Sequence, residues 1–111
     1  MTARSSKEGP SMERRHWQRL KVKASIEIEW GSAVLQGIVR DISPRGLFVE
    51  LSPPLWVGAA FRAQLHLNPV LSLHCTVVRV EPQKGNAVVF EVAEETGKAQ
   101  LEALLLSLSP A

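Results

Sequence analysis

The chain has 111 residues, of which 45% are hydrophobic and 22% are charged, and these values are ordinary for one globular domain. They exclude a long disordered chain, and no apolar run approaches the roughly 18 residues of a membrane helix. Because the first residues also lack the apolar core of a signal peptide, we expect a cytoplasmic protein with no membrane partner.

The residue types that usually carry catalysis or bind metals are sparse. Cys75 is the only cysteine, and the three histidines, His16, His66 and His74, show no metal-ligand spacing. No paired acid–base or nucleophile pattern is present, since Asp41 is the only aspartate. The sequence therefore predicts no catalytic residue, no metal site, no cofactor and no enzymatic activity.

The net charge of +2 is distributed unevenly along the chain. Residues 1–25 hold seven Lys or Arg against two Glu, a balance of +5, whereas the remaining residues have a balance of −3. A basic segment of this kind either attracts phosphates at one end of the molecule or is a solvated tail.

The apolar pattern divides the chain into a leader and one domain. Residues 1–13 have no apolar period and predict a flexible leader, so residues 14–111 form the domain. From Leu20 apolar and polar residues alternate, which indicates a half-buried strand as far as Trp30. After a Gly-Ser turn, further strands are predicted over residues 33–42 and 47–51.

Prolines 53 and 54 end the third strand, and the loop that follows is expected to bury Trp56. Three more alternating stretches predict strands, at residues 61–67, 71–81 and 86–93. In the tail the leucines change to helical spacing, which predicts one amphipathic helix over residues 95–108. Six short strands without crossover helices cannot form a parallel sheet. We therefore expect an antiparallel β-barrel over about residues 20–93, with the helix on one opening.

Two short motifs flank the first two predicted strands. Arg15 and Arg19 form an RxxxR motif, which a chain of this composition contains by chance about 0.6 times. Asp41, Ser43 and Gly46 form a DxSxxG motif, and the chance expectation for the general pattern, with Asp or Asn at the first position, is only about 0.02. The second motif is therefore informative, and its pairing with the first makes coincidence less credible.

This pair of motifs resembles that of the PilZ domain family, bacterial receptors for the second messenger cyclic di-GMP. The resemblance runs from about Arg14 to the C-terminal helix, with the arginine segment, residues 14–19, before the first strand. It implies a six-stranded antiparallel β-barrel followed by a helix, a split barrel of the PilZ type. It also implies that cyclic di-GMP is a ligand and not a catalytic cofactor.

The residue types in the motifs suit this ligand. An arginine guanidinium can chelate phosphate oxygens or the O6/N7 edge of guanine, so Arg15 and Arg19 are assigned these contacts. Asp41 can accept from the guanine N1 and N2 donors, Ser43 offers a hydroxyl, and Gly46 permits a positive φ or a close approach of the base. The alternative is that residues 41–46 only form an Asx-type turn between two strands.

Three further residues are connected with the ligand less directly. The resemblance implies that a basic residue at the position of Arg14 favours the binding of an intercalated pair of ligand molecules over a single molecule. The alternative is that Arg14 is a solvated arginine without a role in binding. Arg79 lies where family members carry Trp or Arg against a guanine, and its alternative is an exposed strand residue. Trp17 either packs on the barrel or stacks on a base.

Three functions follow as hypotheses. The first is a non-catalytic cyclic di-GMP receptor whose arginine segment changes conformation on binding and signals through an unidentified partner protein. The second is a small barrel that binds single-stranded nucleic acid, which an aromatic content of 5% disfavours. The third is a PilZ-like adaptor that binds only protein, against which the intact motifs argue.

Overall fold

The computed structural model describes residues 19–108, which form six strands and one helix. The strands and the helix are β1 (Leu20–Trp30), β2 (Ala33–Ile42), β3 (Gly46–Glu50), β4 (Ala60–Leu65), β5 (Leu71–Glu81), β6 (Gly85–Val92) and α1 (Glu95–Leu108). The predicted leader, residues 1–13, lies outside the described part of the chain. Within that part, no helix is long and apolar enough to cross a bilayer.

The six strands close into an antiparallel barrel in the order β1-β2-β3-β6-β5-β4, which confirms the predicted fold class. Closure pairs β1 with β4 through residues 26–29 of β1. The sheet therefore has no unpaired edge strand that could pair with another chain. Helix α1 follows β6 and packs on β1, β5 and β6. Gly97 lets the first turn of α1 approach Val92 and Leu71 so closely that a side chain there would clash.

Alternate residues of every strand fill the barrel. Near the middle of the strands those that point inward are almost fully buried, including Ile26 and Ile28 of β1 and Leu73 and Val77 of β5. Burial of one such side chain contributes about 1.5–3 kcal/mol, so the barrel interior is the main source of stability. Cys75 lies in this core, and burial raises the pKa of its thiol to about 12. The thiol is therefore protonated at neutral pH, and Cys75 packs as a small core residue, as the sequence predicts.

The prediction that the β3–β4 loop buries Trp56 is wrong. The Trp56 side chain is 63% exposed and meets the Trp30 ring edge to face, with ring centroids 4.6 Å apart. Leu55, the residue before Trp56, is buried instead, as are Leu51 and Ala59 at the two ends of the loop. The side chain of Asn86 binds both the backbone N–H and the carbonyl of Leu55, each at 2.8 Å. These bonds hold Leu55 against the core, and the next side chain is left at the surface.

Candidate ligand-binding site

The DxSxxG motif forms the tight connection between β2 and β3. The Ser43 backbone N–H donates to the Gly46 carbonyl at 2.8 Å. The Ser43 hydroxyl donates to the same carbonyl and accepts from the Gly46 N–H, both at 3.2 Å. Ser43 is only 6% exposed, and both of these hydroxyl hydrogen bonds close the turn. The contacts of the Ser43 hydroxyl in the structure fix the shape of the turn. A contact between this hydroxyl and a ligand stays a prediction.

Gly46 is required by the packing of two strands. Its φ is not positive, unlike that of Gly31 in the β1–β2 turn, so the first of its two predicted roles does not apply. A Cβ atom at Gly46 would lie 2.8 Å from the carbonyl oxygen of Val88 on β6 and 3.9 Å from Nη2 of Arg19. The absence of a side chain therefore lets β3 approach β6 and keeps the space beside Arg19 open.

Replacement of Gly46 by alanine is expected to destabilise the fold by about 1–3 kcal/mol, because the new methyl group must displace the Val88 backbone. Thermal unfolding of the variant measures this loss. Gly31→Asn is the matched control, since the space around Gly31 is open and asparagine tolerates a positive φ. Equal melting temperatures for Gly46→Ala and the wild type would contradict this explanation of the glycine.

Arg19 and Asp41 form an ion pair beside this turn. Nη1 of Arg19 donates to Oδ1 of Asp41 at 2.5 Å, and the two side chains are 44% and 30% exposed. The β1–β2 pairing explains the proximity, because Leu20 is opposite Ile42 at the end of the hairpin. The sequence motifs thus contribute one residue each to a single cluster at the surface of the barrel.

Among the bonds within residues 19–108, the pair uses only part of its hydrogen-bonding capacity. The bond to Asp41 uses one of the five N–H donors of the Arg19 guanidinium, and Oδ2 of Asp41 remains an acceptor. A planar donor beside a carboxylate suits a ligand that offers both acceptors and donors, such as phosphate oxygens and guanine N–H groups. The same cluster borders a cavity of about 430 Å³ lined by Arg19, Lys21, Val22, Arg40 and Asp41.

Arg79 is more distant from the cluster than the other predicted site residues. Strand pairing connects Asp41 to Phe48, Phe48 to Ala87, and Ala87 to Arg79. Paired residues point to the same side of a sheet, so Arg79 also points outward. In the closed barrel, however, β5 is three strands away from β2 in either direction, so Arg79 and Asp41 lie on opposite sides of the barrel. The Arg79 guanidinium binds Glu81 at 2.8 Å. The structure therefore brings together Arg19, Asp41, Ser43 and Gly46, and separates Arg79 from them.

Several residues complete the comparison with the sequence. Arg14, Arg15 and Trp17 lie outside the described residues. His66 and His74 are exposed, as expected. Residues 19–108 contain no cluster of His, Cys, Asp and Glu that could hold a metal ion. Lys21 and Arg40 also border the cavity but belong to neither motif. Arg40 directly precedes Asp41 in the sequence, whereas only the strand register reveals that Lys21 lies beside Asp41.

Comparisons with known proteins agree with this architecture. The family model "PilZ domain" matches residues 13–107, and the chain therefore belongs to the PilZ domain family. The crystal structure of the PilZ domain of CeSA from a cellulose-synthesizing bacterium superposes with a TM-score of 0.64 at 17% identity, covering 82% of this chain and 97% of that one. A search of curated protein sequences found no match.

A second solved structure has the same fold in a longer protein. The inhibitor of motility MotI/DgrA from Bacillus subtilis gives a TM-score of 0.62 at 19% identity and covers 85% of this chain. This chain spans about half, 50%, of that protein. At these identities the two structures establish the barrel and its C-terminal helix.

Proposed function

We propose that this protein is a receptor for cyclic di-GMP that acts by binding and has no catalytic role. The observation that carries the proposal is the partly exposed Arg19–Asp41 pair beside the Ser43–Gly46 turn. It joins the two motifs that define the family in one cluster of complementary donors and acceptors. Membership of a family of cyclic di-GMP receptors supports the same function.

Each residue of the cluster has a separate task in this proposal. Arg19 contacts a phosphate or the O6/N7 edge of a guanine, and Asp41 accepts from N1–H and N2–H of a guanine. The Asp41 carboxylate orients Arg19 before the ligand arrives, which lowers the entropy lost on binding. Ser43 and Gly46 fix the conformation of the turn, so that a guanine base can approach it closely. Arg15 supplies a second guanidinium, and Arg79 meets a base only if the ligand extends across β3 and β6.

Signalling follows from the connection between this cluster and the preceding arginine segment. Arg19 is the residue immediately before β1, so a ligand bound to it also restrains residues 14–18. We infer that this segment changes conformation and that a cytoplasmic partner protein reads the change. The closed barrel is the rigid element, because each strand is hydrogen bonded within a continuous sheet.

Calorimetric titration tests the proposed function. Cyclic di-GMP is expected to bind with a dissociation constant of about 1 μM or lower, equivalent to about −8 kcal/mol or better. A single-stranded oligonucleotide and GMP serve as controls and should bind at least about tenfold more weakly. Absence of cyclic di-GMP binding, or equal binding of the oligonucleotide, would refute the proposal, and the second result would favour a nucleic-acid-binding barrel.

The same titration measures stoichiometry. With Arg14 present, two molecules of cyclic di-GMP per chain are expected, as an intercalated pair held by the basic segment. Arg14→Leu removes the charge and is expected to reduce the stoichiometry to one. Arg4→Leu is the control, because it removes an equal charge ten residues earlier in the chain. One ligand per wild-type chain would contradict the intercalated pair but leave the receptor function intact.

A further inference from the structure

We propose that Lys21 is a further ligand-binding residue, which holds a phosphate of the nucleotide in the cavity that residues of β1 and β2 line on the outside of the barrel. The inference rests on the proposed function and extends its site beyond the two motifs. It predicts that the phosphate group is recognised on the β1 side of Asp41. The ligand therefore lies over the β1–β2 hairpin as well as over the β2–β3 turn.

Strand register places Lys21 beside the cluster. Lys21 is the pairing partner of Asp41 across β1 and β2, and both side chains point to the outside of the barrel. Directly opposed residues in an antiparallel pair have Cβ atoms about 5 Å apart. Lys21 also lines the 430 Å³ cavity that Arg19 and Asp41 border. Its ammonium group is therefore within reach of any ligand that contacts Asp41.

The charges around this cavity favour an anion. Arg19 is paired with Asp41, and Arg40 is paired with Glu50 at 2.5 Å. Among residues 19–108, no ion pair or hydrogen bond neutralises Lys21. The cavity thus has three cations against one carboxylate on its lining, and Lys21 is the one of the three that has no ion-pair partner among the described residues.

The chemistry of lysine selects the phosphate rather than the base. An ammonium group is a compact point charge that binds phosphate well but cannot form the planar double contact with guanine that arginine forms. Cyclic di-GMP has two phosphodiesters. When one of its guanines contacts Asp41 on β2, a phosphate of the same ligand can therefore reach Lys21 on the adjacent strand β1. Arg79 lies on β5, three strands away from Asp41 in either direction around the barrel, and is therefore not placed to make the equivalent contact with that nucleotide.

Two lysines on the same strand allow a matched test. Lys21→Met removes the charge inside the cavity, and Lys23→Met removes an equal charge from an exposed position that does not line it. We expect Lys21→Met to weaken cyclic di-GMP binding about tenfold in calorimetry, equivalent to 1.4 kcal/mol. Lys23→Met should weaken it less than about twofold, because its effect is long-range and screened by salt. Lys21→Arg, which keeps the charge, should retain most of the affinity.

The outcomes separate this inference from the proposed function. If the wild type binds cyclic di-GMP and Lys21→Met weakens binding no more than Lys23→Met, the Lys21 contact is refuted and the receptor function stands. If the wild type does not bind, both are refuted. Because Lys21 is exposed, the melting temperatures of the lysine variants should equal that of the wild type, and a change in affinity then reports a lost contact.

Discussion

Arg19→Ala is expected to weaken cyclic di-GMP binding by about 100-fold, equivalent to roughly 3 kcal/mol. Two losses add to this effect. The variant lacks charge-assisted hydrogen bonds to the ligand, each worth about 1.5–3 kcal/mol. It also leaves the Asp41 carboxylate without its ion-pair partner, so an anionic ligand would approach a cavity with one cation fewer. Calorimetric titration of wild type and variant measures the difference.

The control for Arg19 is another exposed, ion-paired arginine. Arg62 on β4 is 75% exposed and pairs with Glu29 at 3.5 Å, and it does not border the cavity beside Asp41. Arg62→Ala removes the same charge and should change the affinity less than about threefold. Arg19→Lys should bind with intermediate affinity, since it keeps the charge but loses the planar fork. Similar losses for Arg19→Ala and Arg62→Ala would show that only net charge matters.

Asn86→Ala is expected to lower the free energy of unfolding by about 2–5 kcal/mol, the largest stability change predicted for this chain. The Asn86 side chain is 1% exposed and binds the Leu55 N–H and carbonyl at 2.8 Å and the Arg79 carbonyl at 3.4 Å. Alanine leaves these backbone groups without that partner at a buried position. Chemical denaturation monitored by Trp fluorescence measures the change.

Gln64→Ala is the control for Asn86, because Gln64 is an amide side chain exposed on β4. It should change the free energy of unfolding by less than about 0.5 kcal/mol. If Asn86→Ala were equally mild, the amide would not be the group that holds the β3–β4 loop. The buried position of Leu55 and the exposed position of Trp56 would then need another cause.

Strand alternation predicted most of the fold. The bounds of β1, β2, β5 and α1 agree with the sequence pattern, because a period of two or of 3.6 residues is imposed by burial of one face. Boundaries were less accurate where local hydrogen bonds override alternation. Leu67 continues the apolar pattern of β4, but its N–H donates to the Leu65 carbonyl at 2.8 Å and forms a turn, so β4 ends at Leu65.

The site was only partly predictable, because its geometry depends on pairing between distant residues. The motifs identified Asp41 and Arg19 but could not show that the two side chains bind each other. The position of Lys21 opposite Asp41 depends on a register shift between Lys21 and Ala24 that the alternation does not reveal. The burial of Trp56 was predicted wrongly because its apolar character does not encode the Asn86 bonds that orient the loop.

Backbone amide chemical shifts during titration with cyclic di-GMP test the binding site most directly. We predict that the largest changes occur in residues 19–21 and 41–46 and in Val88 and Val89, which pair with the turn through β6. Trp30 and Trp56 should change little, since they lie at the other end of β1. Saturating shifts centred on the two tryptophans, with residues 41–46 unaffected, would contradict the assignment of the Arg19–Asp41 cluster as the nucleotide site.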